Sequence, residues 1–186
     1  MNIFVVDLDP EIAATNLCDK HIPKMTTETA QMLAGGLRAH GAPDSIMPRT
    51  SKGTPYKGGY ANHPCTIWAG QSRANFDWLA RHGVKLAEEF KLRFGKTHAC
   101  ELPIKMMAQL RVNIPMGKLT PFAQAMPDEY NDDNPVKAYR SYYLAEKRRF
   151  AEWNKGREAP EWFLTNTNSL IGKSVEGRLQ QGDNDE

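Results

Sequence analysis

Apolar positions recur at helical spacing over most of this chain, and the breaks between those runs predict its elements. Residues 2–6, Asn-Ile-Phe-Val-Val, are apolar and β-branched without helical period, so they read as one short buried strand. Asp9 and Pro10 then open a helix over about 10–17, with Ile12, Ala13 and Leu17 inward. Asp19 is placed to cap a second helix over about 20–39, whose buried stripe is Met25, Thr29, Met32, Leu33 and Gly36. Residues 40–62 are rich in Gly and Pro and read as a long loop carrying Arg49, Lys52, Tyr56, Lys57 and Tyr60, which suits either a mobile flap over an anionic ligand or a plain solvated loop. A helix starts at Asn62-His63-Pro64. The clearest amphipathic pattern follows over 73–94, on Phe76, Leu79, Ala80, Gly83, Val84, Ala87 and Phe90, and Gly95 stops it. A further helix spans about 98–111, with Leu102, Met106 and Leu110 inward. Residues 112–135 are irregular. Pro135 opens a last helix over about 136–155 with an aromatic stripe of Tyr139, Tyr142, Tyr143, Phe150 and Trp153. The expected fold is mainly α: a single helical domain, residues 1–164, with one short N-terminal β-strand, followed by a polar tail, residues 165–186.

The chemistry concentrates on the second helix. His21, Lys24, Glu28, Gln31 and Gly35 share the face opposite its buried stripe, so an imidazole, an ammonium, a carboxylate and an amide would line one wall. Such a wall can do acid–base work or bind an anion; it can also be a solvated face with a Lys24–Glu28 pair. His21, Lys24, Glu28 and Asp19 are therefore the candidate catalytic residues, with Lys24 able to act as a nucleophilic amine if burial lowered its pKa. Asn62-His63 is a second polar cluster, expected to face the same cavity as His21. Gln31, Asn62 and His63 could read a base edge and Trp68 could stack on it. Asp19, His21 and His63 would make a ligand set for a metal, though no fixed-spacing metal motif is present.

Charge adds a second candidate surface. The chain carries +2 overall across 186 residues, but residues 137–157 hold seven basic side chains against two acidic ones. Arg140, Lys147, Arg148 and Arg149 in that stretch are the candidate phosphate contacts, and the tyrosines between them could stack on bases or form core. Cys18, Cys65 and Cys100 are widely spaced and read as reduced thiols. No apolar run reaches the roughly 18 residues of a membrane span, and no secretory leader is evident, so a cytoplasmic protein is expected. The chain lacks the glycine-rich phosphate loops, the zinc-deaminase signature and the Gly-x-Ser-x-Gly elbow, which argues against those enzyme classes. The sequence leaves the cofactor open.

Several short patterns resemble a family of short tailed-bacteriophage proteins: Asn2-Ile3-Phe4, Asp9-Pro10, Asp19-Lys20-His21, Lys24-Met25, Glu28, Gln31-Met32-Leu33, Asn62-His63-Pro64, Trp68 and Asn75. Thr120-Pro121-Phe122, Ala125-Met126-Pro127, Tyr139-Arg140-x-Tyr142-Tyr143 and Pro160-Glu161-Trp162 extend the resemblance to about residue 163. It implies DNA metabolism, base modification or counter-defence in an infected bacterium, and it assigns no catalytic residue. The leading expectation is an enzyme acting on a nucleic-acid base or nucleotide by glycosylase-like or base-modifying chemistry, with DNA or a nucleotide as partner. The alternatives are a non-enzymatic counter-defence or host-takeover protein that binds a nucleotide or a host protein, and a metal-dependent nuclease.

Overall fold

The computed structural model describes residues 1–110 and 112–165. Six α-helices follow in order: α1 (Pro10–Thr15), α2 (His21–Ala39), α3 (Pro64–Gln71), α4 (Arg73–Phe94), α5 (Glu101–Gln109) and α6 (Pro135–Glu146). A helical turn at 161–165 ends the described chain. The mainly helical expectation holds, with most boundaries within a few residues. The expected tail falls, beyond residue 165, outside the described residues.

Helices α2 and α4 form the centre. Helix α2 packs on α3, α4 and α5, and α4 also takes α1 and α3. Small residues set how closely they approach. A Cβ on Gly83 of α4 would stand 2.5 Å from the Thr29 methyl of α2 and 3.3 Å from Ile104 of α5. The loop after α2 is equally tight: a Cβ on Gly58, which sits at φ +80°, would lie 2.7 Å from the Gly35 Cα. The Gly35-Gly36 pair thus lets a second backbone lie against α2. Arg38 of α2 holds that loop down by donating to the Tyr56 and Ala42 carbonyls.

Four expectations need correction. Residues 2–6 form no strand. The Asn2 Oδ1 accepts from the Ile3 and Phe4 amides, and the Val6 amide donates to the Phe4 carbonyl at 2.7 Å, which folds the segment into tight turns. Ile3, Phe4, Val5 and Val6 are all buried, and a short apolar run of that kind carries no period to separate a strand from a buried coil. In α1, Ile12 is exposed and Pro10, Ala13, Ala14 and Leu17 turn inward. In α5 the buried face is Pro103, Ile104 and Met107, while Leu102 and Met106 are exposed; the contact of Ile104 with the α4 glycine sets the helix rotation.

The fourth correction is the basic helix, which ends at Glu146 rather than near 155. A 3₁₀ turn at Arg148–Phe150 follows, and the chain then runs extended because it is needed elsewhere. The Asp19 amide donates to the Glu152 carbonyl at 2.8 Å, and the Asn154 amide donates to the Asp19 carboxylate at 2.7 Å. The aromatic side chains of this region do serve the core. Tyr139 and Tyr143 are fully buried, and Trp153 packs against Phe163.

Gly83→Ala should destabilise the fold by about 1–3 kcal/mol in urea unfolding, although alanine is otherwise the better helix former. Thr29→Ser in the same chain should recover part of that loss by removing the clashing methyl. A more stable G83A chain would contradict the close α2–α4 approach.

Candidate functional site

The face of α2 predicted to be polar does meet open space, but its residues separate into two roles. His21 is buried. Its ring stacks on Phe4, with centroids 4.7 Å apart, and its Nδ1 lies 2.8 Å from the Tyr143 hydroxyl. That hydroxyl also accepts from the Cys18 amide at 3.0 Å, so one phenol ties the start of α2 to the imidazole. Burial first, then Lys24, Lys147 and Lys20, pushes the His21 pKa down to about 3. The ring is neutral at pH 7 and is a weak base, suited to shaping the cleft more than to moving protons.

Glu28, two helical turns further on, is the reactive-looking group. Its carboxylate is mostly covered and meets three nitrogens. The Asn2 amide donates to it at 2.9 Å, the Lys24 ammonium stands 3.8 Å away and the Met1 amine 3.9 Å away. The N-terminal segment reaches this position because Asn2 is pinned at both ends: its Nδ2 donates to the Ala125 carbonyl while its Oδ1 closes the turn onto Phe4.

Met1, Lys24 and Glu28 line two neighbouring clefts. One, of about 390 Å³, continues along Lys20, His21, Phe4, Tyr142, Lys147 and Phe150. The other, of about 380 Å³, continues along Thr27, Gln31 and Tyr60. Lys20 lies over the Phe150 ring and Lys147 over the Tyr142 ring. Three lysines and an α-amine thus line a cleft that holds one carboxylate, which makes it electropositive and fit for a phosphate backbone.

The other predicted residues are distributed as follows. Gln31 borders the second cleft. His63 caps α3, its Nδ1 accepting from the Cys65 amide at 3.2 Å. Its pKa is lowered by partial burial and by the Met1 amine, against an opposing pull from Glu28, but neither His63 nor Asn62 lines either cleft. Asn62 is exposed beside it. Trp68 lies in the core, stacked on Phe122 with centroids 5.2 Å apart and edge-on to Trp78, out of reach of a base. Asp19 is neither the α2 cap nor part of the cleft. It pairs with Arg93 at 3.1 Å in a buried network with Glu89 and Arg157. Among the described residues no group of three His, Cys, Asp or Glu side chains is arranged to hold a metal ion, and Asp19, His21 and His63 are not gathered into one. Arg140 is tied to the fold, donating to the Val6 carbonyl at 2.9 Å and facing Asp7. Of the remaining basic candidates, Lys147 lines the cleft, Arg148 is half-buried and Arg149 is exposed. Spacing along the chain pointed to Glu28 and Lys24 but gave no sign of Met1, Asn2, Phe4 or Tyr142, which arrive from distant segments.

A model of the pyrimidine dimer DNA glycosylase family matches residues 1–102. The chain belongs to that family. No curated protein and no solved structure matches it. The matched stretch contains Met1, Asn2, His21, Lys24, Glu28, Gln31 and Tyr60, and therefore the whole second cleft. Tyr142, Lys147 and Phe150, which complete the first, lie outside it. Family membership makes this a glycosylase-like enzyme acting on bases of DNA, and DNA is its partner.

One prediction follows from the charges. Lys147→Gln should weaken duplex binding and reduce the slope of log K against log salt by about 0.9, one phosphate's share in B-DNA. Arg140→Gln should lower stability and leave that slope unchanged; the reverse pattern would show that Arg140 is the phosphate contact.

Buried histidines give the second. His82 stacks on Trp78, and burial takes its pKa to about 3 as well. Both His21 and His82 have folded pKa values below the roughly 6.5 expected when unfolded. Between those values the unfolded chain binds protons that the folded chain refuses. Their contribution is therefore complete above about pH 6.5 and is lost as pH falls, at about 1.4 kcal/mol per pH unit for each group. Urea midpoints between pH 6.5 and 4.5 should fall accordingly, and His82→Phe should make the slope shallower. A flat profile would contradict the burial of neutral imidazoles.

Proposed function

We propose that the reaction centre is the Glu28 carboxylate together with an amine held beside it, and that the substrate is duplex DNA carrying a pyrimidine dimer. The observation that carries this reading is the meeting of Glu28 with two amines, Met1 and Lys24, within 4 Å at the junction of two clefts. The substrate class is taken from the family description.

An amine can attack C1′ of the deoxyribose once it has lost its proton. Glu28 is placed to accept that proton. As the N-glycosidic bond breaks, its electron pair leaves with the base, which takes up a proton, and the sugar is left bonded to the amine. Opening of the sugar ring then gives an iminium ion. The Glu28 carboxylate stabilises the positive charge that develops at C1′. The two candidate amines stand at similar distances from Glu28, and the Lys24 side chain is the one that extends into solvent. This favours Met1, with Lys24 left to neutralise the backbone phosphate. The resemblance to tailed-phage proteins supports a setting inside an infected bacterium, where such an enzyme would act on damaged DNA.

Glu28→Gln should reduce single-turnover release of the dimer's glycosidic bond by at least about 100-fold, in the range of a lost catalytic acid–base group. Binding of the same duplex, read by fluorescence anisotropy, should persist within a few-fold. Unchanged turnover would remove Glu28 from the chemistry. The reaction centre would then lie elsewhere in the chain.

A further inference from the structure

We propose that Tyr60 is a stacking platform for a base of the substrate DNA at the mouth of the cleft, an inference that rests on the Glu28 reading of the reaction centre. The side chain of Tyr60 is 73% exposed. Among the described residues its ring meets no other aromatic ring, unlike the many ring contacts of the core, and its hydroxyl has no hydrogen-bond partner. Its backbone sits at φ +52°, a conformation that a bulky side chain rarely adopts. Such positions persist only where surrounding structure enforces them, and they cluster at functional sites.

The enforcing contacts are on both sides of Tyr60. Gly58 is pressed against the α2 backbone at Gly35. On the other side the His63 amide donates to the Tyr60 carbonyl at 2.9 Å, and His63 in turn caps α3. The ring is therefore carried on a fixed stem between two helices. It borders the cleft that contains Met1, Lys24, Glu28 and Gln31. It also borders a larger cavity of about 660 Å³, whose walls include Arg38, His40, Lys57 and Ile67. A flat, exposed aromatic on the rim beside the reacting groups, with Lys57 three residues before it, matches the combination used to hold nucleic acid: a stacking face next to a cation for phosphate. Stacking needs no particular base, so Tyr60 would hold the DNA in register with Glu28 without reading sequence.

The left-handed backbone supplies the test that separates this role from a purely structural one. Glycine adopts φ +52° freely, so Tyr60→Gly should fold at least as stably as the parent while losing the ring. In the Glu28→Gln chain, which binds without turnover, Tyr60→Phe should bind a dimer-containing duplex within about 2-fold of the parent. Tyr60→Ala and Tyr60→Gly should each bind about 10-fold more weakly, the usual cost of losing one stacked base. The Gly variant should do so with an equal or higher melting temperature. In a duplex carrying 2-aminopurine beside the lesion, the binding-induced fluorescence change should be present with Tyr or Phe and absent with Gly. Parent-like binding by the Ala and Gly variants would overturn the proposal. So would a Gly variant whose loss of binding tracks a loss of stability. If Glu28→Gln still cleaves the duplex, the Glu28 reading fails on its own; the Tyr60 comparison is then made on KM in the otherwise unaltered chain, where an unchanged KM would overturn it.

Discussion

A carboxylate that is mostly withdrawn from water must be met by donors, because an unpaired buried charge costs several kcal/mol. At Glu28 the donors come from the first two residues, 26 and 27 positions earlier in the chain: the Asn2 amide and the amine of Met1. That one requirement explains why the first six residues are folded into turns instead of being extended. The Asn2 side chain closes the turn, Phe4 is driven under His21, and the amine is delivered to the carboxylate. The site is thus made by docking a coil onto a helix, and its precision depends on how rigidly that helix is held.

Helix α2 is held at its start by two buried polar systems. Arg93 of α4 donates to the Leu17 and Thr15 carbonyls and to Asp19 and Glu89, with Arg157 closing the pair to Glu89. Tyr143 of α6 meets the Cys18 amide and His21. Desolvation is expensive for both, yet each group is fully met, and breaking such a buried ion pair by removing one partner typically costs about 3–5 kcal/mol. These contacts brace the frame, while the lysines and Tyr60 at the rim stay in solvent, where they can meet DNA. Asp19, a candidate catalytic residue by sequence, belongs to the brace.

Much of this is legible in the sequence alone, and the reasons differ by element. The stripe on α2, the amphipathic pattern of α4, the stop at Gly95 and the proline starts of α3 and α6 are local signals, set by period and capping, and the structure keeps them. The failures are all tertiary. The run from Ile3 to Val6 is apolar enough for a strand but has no partner. The α5 face is rotated because Ile104 fills the space above a glycine of α4. The basic helix is cut short because residues 152–154 bond to Asp19. His21 and Glu28 share a face at helical spacing, and nothing in that spacing says which is sealed against Tyr143 and which opens to the cleft. Nor could the sequence place the amine of Met1 beside Glu28, since that contact joins segments whose only link is the folded chain.

The account rests on chemistry passing through an amine at Glu28, and reductive trapping tests it most directly. A dimer-containing duplex incubated with the chain and sodium cyanoborohydride should give a covalent protein–DNA adduct, because reduction fixes the iminium ion. Peptide mass spectrometry should place the adduct on the Met1 amine, or on Lys24 if that is the nucleophile, and Glu28→Gln should suppress it. Efficient base release with no trapped adduct, or an adduct on a residue remote from the cleft, would contradict the account.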